Sequence, residues 1–185
     1  METTALLMID VQREYFTPES PLWIPDGPLV LERLQSLLEH ARKTGTGVVH
    51  VQHHEVAGSE VFATGTPLVE TMDEVAPAAG EPLIVKHLPG SFDDTDLDAV
   101  LEAMGARTVV VAGFMTHMCC DTTAREAQAR GYDVVFLTDG TATRDLAGPS
   151  GRTIPHAVVH ETTLAAQADG FSRLMDVSAL RAELA

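Results

Sequence analysis

The chain has 185 residues, of which 45% are hydrophobic and 21% are charged, an ordinary composition for a globular protein. This length fits a single domain over residues 1–185 with a sizeable core. The formal net charge of −15 repels nucleic acid phosphates and anionic membranes, and no apolar run approaches the roughly 20 residues of a membrane span. We therefore expect a small-molecule partner, with no nucleic acid and no membrane.

The N-terminal segment passes directly into an apolar run. Residues 1–4 lack the basic start of a secretory signal, which favours a cytoplasmic location. Residues 5–9 are apolar and are followed by Asp10, as in a buried strand whose polar residue stands at its C-terminal end. Asp10 is therefore a candidate site residue. The alternative is that Asp10 caps or braces the loop that follows.

A loop, a helix and a second strand are predicted next. Residues 15–28 are rich in proline and carry aromatic side chains, including Phe16 and Trp23, which either form a pocket wall or pin the loop to the core. Apolar residues at a 3-4 spacing predict an amphipathic helix over residues 30–43. Residues 48–51 then form the second parallel strand of a βαβ unit.

The second strand ends in Gln52-His53-His54-Glu55, a sequence that suggests metal ligands because histidine and carboxylate side chains commonly bind metal ions. Adjacent side chains point away from each other in a strand, so we expect no metal here. His54 is expected instead to line the mouth of a substrate site. The alternative is a solvated histidine, or one at the edge of the core.

The longest excursion between strands covers residues 57–82, with a short helix predicted over residues 67–73. Long loops in compact domains usually cover sites or bind partners. Residues 83–85 form the third strand, and Lys86 stands at its end. A lysine that follows a buried strand is more often directed at a site than an isolated surface lysine.

A strand, a sharp turn and a helix start follow one another around the two cysteines. The apolar run over residues 108–112 is typical of a central parallel strand, and Gly113 follows it. With Thr116 as the N-cap, Cys119 lies at the third helical position, where the helix dipole favours an anion and the thiol is expected to ionise more easily. The alternative is that Cys119 and Cys120 only fill the core.

The remaining elements complete an alternating pattern of strands and helices. They are a helix over residues 95–104, a helix that follows the N-cap Thr116, contains Cys119 and continues to residue 129, a strand over 133–137, a loop at the site edge over 138–141, a helix over 154–168, a short strand over 171–175 and a terminal helix over 177–184. This alternation predicts an α/β fold, a doubly wound open sheet of about six mostly parallel strands with helices on both faces, in three Rossmann-like layers.

Three polar residues follow strands of this predicted sheet. Because Asp10, Lys86 and Cys119 each come after a strand, we expect them to meet above one edge of the sheet. A thiol needs a base and an electropositive setting to act as a nucleophile, and Asp10 and Lys86 supply both. The adjacent cysteines also suit a reducing compartment, with a strained vicinal disulfide as the alternative.

Three ordered motifs in the chain together resemble those of one known family. The motifs are Leu6-Leu7-Met8-Ile9-Asp10-Val11-Gln12, then Ile84-Val85-Lys86 with Ser91-Phe92 and Thr95-x-Leu97, and finally Gly113-x-x-Thr116-x-x-Cys119-x-x-x-Thr123-Ala124. They resemble the isochorismatase-like cysteine hydrolase superfamily, which includes nicotinamidases and the carbamoylsarcosine and ureidoacrylate amidohydrolases. Any one motif is weak, but the ordered set is specific and runs from about Ala5 to Phe171.

The resemblance implies a mechanism for a C–N bond hydrolase. In this family the aspartate, here Asp10, accepts the thiol proton, and the lysine, here Lys86, holds the charges in place. The thiolate of Cys119 then attacks an amide-like carbon, and water hydrolyses the thioester-type intermediate. The resemblance also implies a cis peptide bond between Phe114 and Met115, with the Met115 and Cys119 N–H groups forming the oxyanion hole.

The expected partners are a small-molecule substrate and water, with no cofactor and no metal. Nicotinamidases of this family use an Asp-x-His metal pattern that the chain lacks. We also expect a homo-oligomer, a dimer or a tetramer. The residues expected to bind substrate are Gln12, Phe16, Trp23, His54, Phe92 and Thr116.

Three alternatives accompany this interpretation. An isochorismatase-type vinyl-ether hydrolase has the same fold, but true isochorismatases lack a cysteine at the position of Cys119. A catalytically silent binding protein is the second alternative, and the intact set of Asp10, Lys86 and Cys119 argues against it. A nucleophilic Cys120 is the third, and the motif spacing from Gly113 favours Cys119.

Overall fold

A computed structural model describes residues 3–184 and has a parallel β-sheet at its centre. The strands are β1 (Thr3–Ile9), β2 (Gly47–His53), β3 (Leu83–Lys86), β4 (Ala106–Phe114), β5 (Asp133–Ala142), β6 (Leu146–Ala147), β7 (Thr153–Ile154) and β8 (Arg173–Met175). The helices are α1 (Gly27–Thr44), α2 (Leu97–Ala103), α3 (Asp121–Ala129), α4 (His156–Gly170) and α5 (Val177–Glu183).

The main sheet has six strands in the order β3-β2-β1-β4-β5-β8, and every neighbouring pair is parallel. The chain builds outward from β1 to β3, returns to place β4 beside β1, and then builds outward in the opposite direction. This order confirms the predicted doubly wound sheet. It also creates a switch point between β1 and β4, and ligands bind at such points in open α/β sheets.

Helices cover both faces of the sheet because successive residues of a strand point to opposite faces. Leu6 and Val110 pack on one face with residues of α1 and α5. Leu7 and Val111 pack on the other face with residues of α2 and α3, and Leu164 of α4 lies against the same cluster. The predicted three-layer arrangement is therefore confirmed.

The strand β5 is longer than its sequence pattern predicts. Residues 138–141 were expected to form a loop, but β5 continues to Ala142 and pairs Thr141 with Gly113 and Ala142 with Phe114. The register of β4 with β5 shifts between Val111 and Gly113, and pairing resumes beyond this irregularity. The residues of β5 beyond it are polar, which is why the sequence predicts a loop there. The small antiparallel pair of β6 and β7 was also not predicted.

Two helix predictions need correction. The helix predicted over residues 67–73 is replaced by separate 3-10 turns at Pro67–Val69 and Asp73–Val75. The helix predicted to start at Thr116 begins as a π-helical turn, Thr116–Cys120, which leads into α3. Within residues 3–184, no helix combines the length and the apolar character needed to cross a bilayer.

Candidate active site

The candidate nucleophile and base flank the switch point of the sheet. Asp10 follows β1 directly, and its φ of 51° lies in the left-handed region that aspartate tolerates better than most residues. Gly113, near the end of β4, has φ 118°, and a side chain there would collide with the backbone of Ile9. Only glycine allows β4 to pass this close to β1 before the chain turns toward Cys119.

Lys86 joins these two residues. Its Nζ lies 2.9 Å from Asp10 Oδ2 and 3.2 Å from Cys119 Sγ, to which it donates a hydrogen bond. The side chains of Asp10 and Lys86 are fully buried, and Cys119 is only 5% exposed. The structure thus brings together the three residues that the sequence predicts as catalytic, while their roles remain predictions.

The electrostatics of the trio differ from the sequence expectation. Burial lowers the pKa of the Lys86 ammonium, but the neighbouring Asp10 and Cys119 outweigh this effect and raise it above its ordinary value. Burial is also the largest cause that raises the pKa of the Cys119 thiol, Asp10 raises it further, and Lys86 lowers it by less. This direction is opposite to the easier ionisation that the helix start predicts for the thiol.

The turn before Cys119 is held differently from the prediction. The N-cap is Met115 rather than Thr116, and the Met115 carbonyl accepts N–H bonds from Met118 and Cys120 at 3.1 and 3.2 Å. The Thr116 hydroxyl lies instead 2.9 Å from Nδ1 of His160, a residue of α4. The peptide bond from Phe114 to Met115 is cis, as the family resemblance implies.

His53 lies in the site, although the sequence pattern gave it no role there. Its Nδ1 is 3.1 Å from Lys86 Nζ and its Nε2 is 3.0 Å from Glu55 Oε1. Its ring also packs against the Phe62 ring, with centroids 5.2 Å apart. The neighbouring His54 points elsewhere, with Nε2 3.0 Å from the Gln52 side chain. Strand alternation separates the two histidines, but only the tertiary structure shows which of them reaches Lys86.

A metal ion does not fit this group of side chains. Ligand atoms of Asp10, His53 and Cys119 lie within 4.8 Å of one another, which is close enough to suggest a metal site. However, the Lys86 ammonium contacts all three residues, at 2.9, 3.1 and 3.2 Å. The ammonium of Lys86 therefore occupies the place where a metal cation would bind. The lone pair of His53 Nδ1, which would bind a metal, already accepts a hydrogen bond from Lys86.

Three of the residues predicted to bind substrate have other contacts. Gln12 is fully buried, and its amide bonds only to backbone atoms of His53 and Val69. Phe92 is buried in the core, with the Arg130 guanidinium stacked on its ring. Thr116 is fully buried, and its hydroxyl is taken by His160. Packing and hydrogen-bond partners within the protein thus already occupy these three side chains, and their contact with substrate stays a prediction.

The other three predicted substrate residues keep some exposure. Phe16 is half-buried and lies edge-on to Phe114, with ring centroids 5.5 Å apart. Trp23 is 40% exposed in the loop before α1. His54 is half-buried, and burial is the largest cause that lowers its pKa. Contact of these residues with substrate stays a prediction.

Comparison with known proteins identifies the family. The isochorismatase domain model matches residues 4–176. A secreted isochorismatase effector of Verticillium dahliae, Isc1, is 38% identical over 94% of this chain and 88% of its own length. Nicotinamidase 3 of Arabidopsis thaliana is 30% identical over 97% of this chain and 88% of its own length. A solved structure of a cysteine hydrolase from Pseudomonas syringae superposes with a TM-score of 0.92, at 26% identity over 98% of this chain and 92% of the other. The chain therefore belongs to the isochorismatase family of hydrolases.

Proposed function

We propose that the chain is a cysteine hydrolase that cleaves a C–N bond of a small amide, carbamoyl or related substrate. The observation that carries the proposal is the buried contact of Cys119 Sγ with Lys86 Nζ, beside the carboxylate of Asp10. A nicotinamidase and a cysteine hydrolase among the similar proteins support the same class of reaction.

Asp10 is the base that activates the thiol. Both of its carboxylate oxygens are buried and neither receives a directed N–H bond, so their lone pairs are available for the proton of Cys119. Lys86 already donates to the sulfur, and it therefore compensates the negative charge as the proton leaves. The thiolate then attacks the carbonyl carbon of the substrate.

The tetrahedral intermediate places its oxyanion against the backbone N–H groups of Met115 and Cys119. As the C–N bond breaks, Asp10 returns the proton to the leaving nitrogen, and a thioester on Cys119 remains. A water molecule then gives a proton to Asp10 and attacks the thioester carbon. The C–S bond breaks, and the proton on Asp10 returns to the sulfur, which restores the resting thiol.

A panel of small amides and carbamoyl compounds tests this proposal. We expect release of amine or ammonia, together with an acyl adduct on Cys119 that mass spectrometry detects after rapid quenching. Cleavage of a vinyl ether that persists in Cys119→Ala would instead favour the isochorismatase-type reaction. Tight binding of a ligand with no turnover and no adduct would favour a silent binding protein.

We also propose that the chain works as one hydrolase domain in the cytoplasm, as a dimer or a tetramer. The surface of α4 supports assembly, because Ala157, Val158, Ala165 and Ala166 are all exposed. The free thiols of Cys119 and Cys120 suit a reducing compartment. Light scattering coupled to gel filtration gives the number of chains, and cell fractionation gives the location.

A further inference from the structure

The ammonium of Lys86 has more acceptors than hydrogens. Four acceptor atoms lie within 3.2 Å of Nζ: Asp10 Oδ2 at 2.9 Å, Leu88 O at 3.0 Å, His53 Nδ1 at 3.1 Å and Cys119 Sγ at 3.2 Å. A lysine ammonium has three N–H bonds, so one of these atoms must do without a directed hydrogen bond.

The atom left out is the carboxylate of Asp10. The geometry directs hydrogen bonds from Lys86 to His53, Leu88 O and Cys119, while the contact of Nζ with Asp10 Oδ2 is not aligned as a directed N–H bond. Lys86 therefore acts on Asp10 mainly through its charge. A carboxylate oxygen that receives no N–H bond keeps its lone pairs available for the proton of a neighbouring thiol.

The tautomer of His53 makes this arrangement possible. The Glu55 carboxylate can only accept, so the contact of 3.0 Å requires a hydrogen on His53 Nε2. The lone pair on Nδ1 then faces Lys86, as the contact of 3.1 Å requires. Five charged or titratable residues surround the ring, namely Lys86, Glu55, Asp10, Cys119 and His54.

The surrounding structure fixes the position of His53. Its backbone N–H donates to Gln12 Oε1, and its carbonyl accepts from Gln12 Nε2, both at 2.9 Å. The Phe62 ring packs on its imidazole, and the Phe62 N–H is held by the buried carboxylate of Glu14 at 3.0 Å. The imidazole is therefore clamped from its backbone and from one side of its ring.

We propose that His53 is a positioning residue for Lys86. Together with Leu88 O, it holds two of the three N–H bonds, so that the third points at Cys119 and none at Asp10. Without the acceptor on His53, one N–H bond of Lys86 is free to turn to Asp10. That bond would occupy a lone pair of the base, and the Lys86 ammonium beside the thiol would no longer keep a single orientation. This proposal rests on the cysteine chemistry proposed above, and it adds a residue to the machinery of that reaction.

Alkylation of Cys119 by iodoacetamide tests the proposal without any substrate. The measurements use Cys120→Val as the parent, so that one thiol reports, and follow the rate against pH by mass spectrometry. We expect His53→Phe, which keeps a flat ring against Phe62 but removes the acceptor, to slow alkylation by about tenfold, as the loss of one hydrogen bond to a charged group predicts. We expect His53→Asn, which keeps an acceptor, to recover most of the rate.

Glu55→Gln tests the tautomer. A glutamine at position 55 can donate its amide N–H to His53 Nε2 or accept from it. In part of the molecules the ring hydrogen of His53 therefore lies on Nδ1, where it repels the ammonium of Lys86 instead of accepting its hydrogen bond. We expect a loss between those of the two His53 variants. Glu55 is 41% exposed in its side chain, so this variant reports even if His53→Phe fails to fold. The matched control is His87→Phe, which changes an exposed histidine next to Lys86 and is expected to leave the alkylation profile unchanged.

Equal losses in His53→Phe and His53→Asn would overturn the proposal, because the histidine would then act only through its packing. Unchanged alkylation profiles in His53→Phe and Glu55→Gln would overturn it as well. The proposed function is tested separately from the role of His53. If the alkylation rates follow the predicted order but no amide is hydrolysed, the positioning of Lys86 by His53 is supported and the proposed function is wrong.

Discussion

Asp10 and Glu81 are buried or nearly buried carboxylates that each face a cation, and they differ in how many donors they receive. Glu81 accepts two hydrogen bonds from Arg42, at 2.8 and 2.7 Å, and its Oε2 lies 2.8 Å from Nε2 of His50. Asp10 Oδ2 lies 2.9 Å from Lys86 Nζ, yet neither of its oxygens receives a directed N–H bond. Both carboxylates are ion-paired, but only Glu81 is saturated with donors.

The difference is the one expected between a structural carboxylate and the base proposed for the reaction. The hydrogen bonds from Arg42 are the main cause that lowers the pKa of Glu81 to about 2. A carboxylate held in this way stays ionised and has little capacity to take a proton from a neighbour. Asp10 receives no directed N–H bond, so its lone pairs stay available, as the proposed general base requires. The number of donors, rather than the presence of an ion pair, therefore indicates which carboxylate takes part in chemistry.

The largest loss of turnover is expected when the sulfur of Cys119, beside Asp10, is removed. Cys119→Ala should lower turnover by about 10⁴-fold or more, because it removes the sulfur on which the proposed thioester forms. Folding should change little, since the thiol contributes few contacts that alanine lacks. Steady-state assays with thermal unfolding as a check measure both effects, and Cys120→Val is the matched variant that should stay active. Full turnover in Cys119→Ala would assign the nucleophile elsewhere.

The next effect tests Asp10 and Lys86 as a pair. Asp10→Asn should lower turnover by about a thousandfold, as expected for loss of a general base. Asp10 raises the pKa of the Cys119 thiol and Lys86 lowers it, so Asp10→Asn should move that pKa down and Lys86→Ala should move it up. The pH dependence of alkylation, in the Cys120→Val background, gives both shifts. Shifts in the same direction would contradict the proposed roles.

On the structural side of the comparison, Glu81→Gln should affect stability and leave turnover within a few-fold. Loss of charged hydrogen bonds predicts a destabilisation of about 1.5–3 kcal/mol at neutral pH. The folded-state pKa of about 2 lies below the ordinary value of 4.5, so the stabilisation is complete above pH 4.5 and is lost as the pH falls toward 2. Urea unfolding of both proteins across this range should show the two stabilities converging. A constant difference at all pH values would mean that the charge of Glu81 is not responsible.

The smallest effect is expected from removal of metal ions. Lys86 supplies the positive charge beside Asp10, His53 and Cys119, so incubation with a chelator should leave the hydrolysis rate unchanged. Elemental analysis of the purified protein, before and after chelation, accompanies the assay. Stoichiometric zinc that is lost together with activity would show that Asp10 lacks donors because it binds a metal.

The fold and the three central residues were accessible from sequence because their signals are local. The β-branched run that forms β4 and the apolar run of β1 identify buried strands, and parallel strands bring Asp10 and Cys119 to one edge. Thr141, by contrast, lies in a polar segment typical of a turn, and only its pairing with Gly113 reveals the extension of β5.

The rest of the site depends on contacts between distant segments. His53 and His54 are equivalent in the sequence, and only the position of Lys86, 33 residues away, distinguishes them. The raised pKa of Cys119 follows from burial and from Asp10, two tertiary effects that oppose the expected influence of the helix start. Gln12 is a polar residue just after a strand. Residues that bind substrate and residues that hold a loop in place both occur at such positions, so the sequence does not distinguish the two roles.

The contacts of Gln12 have a consequence for how selectivity diverges in such enzymes. Its amide forms hydrogen bonds with main-chain atoms: Nε2 donates to Val69 O at 2.6 Å and to His53 O at 2.9 Å. Exposed side chains in the segment from β2 to Val69 are therefore free to change while the path of the segment is kept, whereas Glu55 and Phe62, which contact His53, are not. Libraries that randomise exposed positions there, such as Val56, offer a route to new substrate preferences that leaves the hydrolytic chemistry intact.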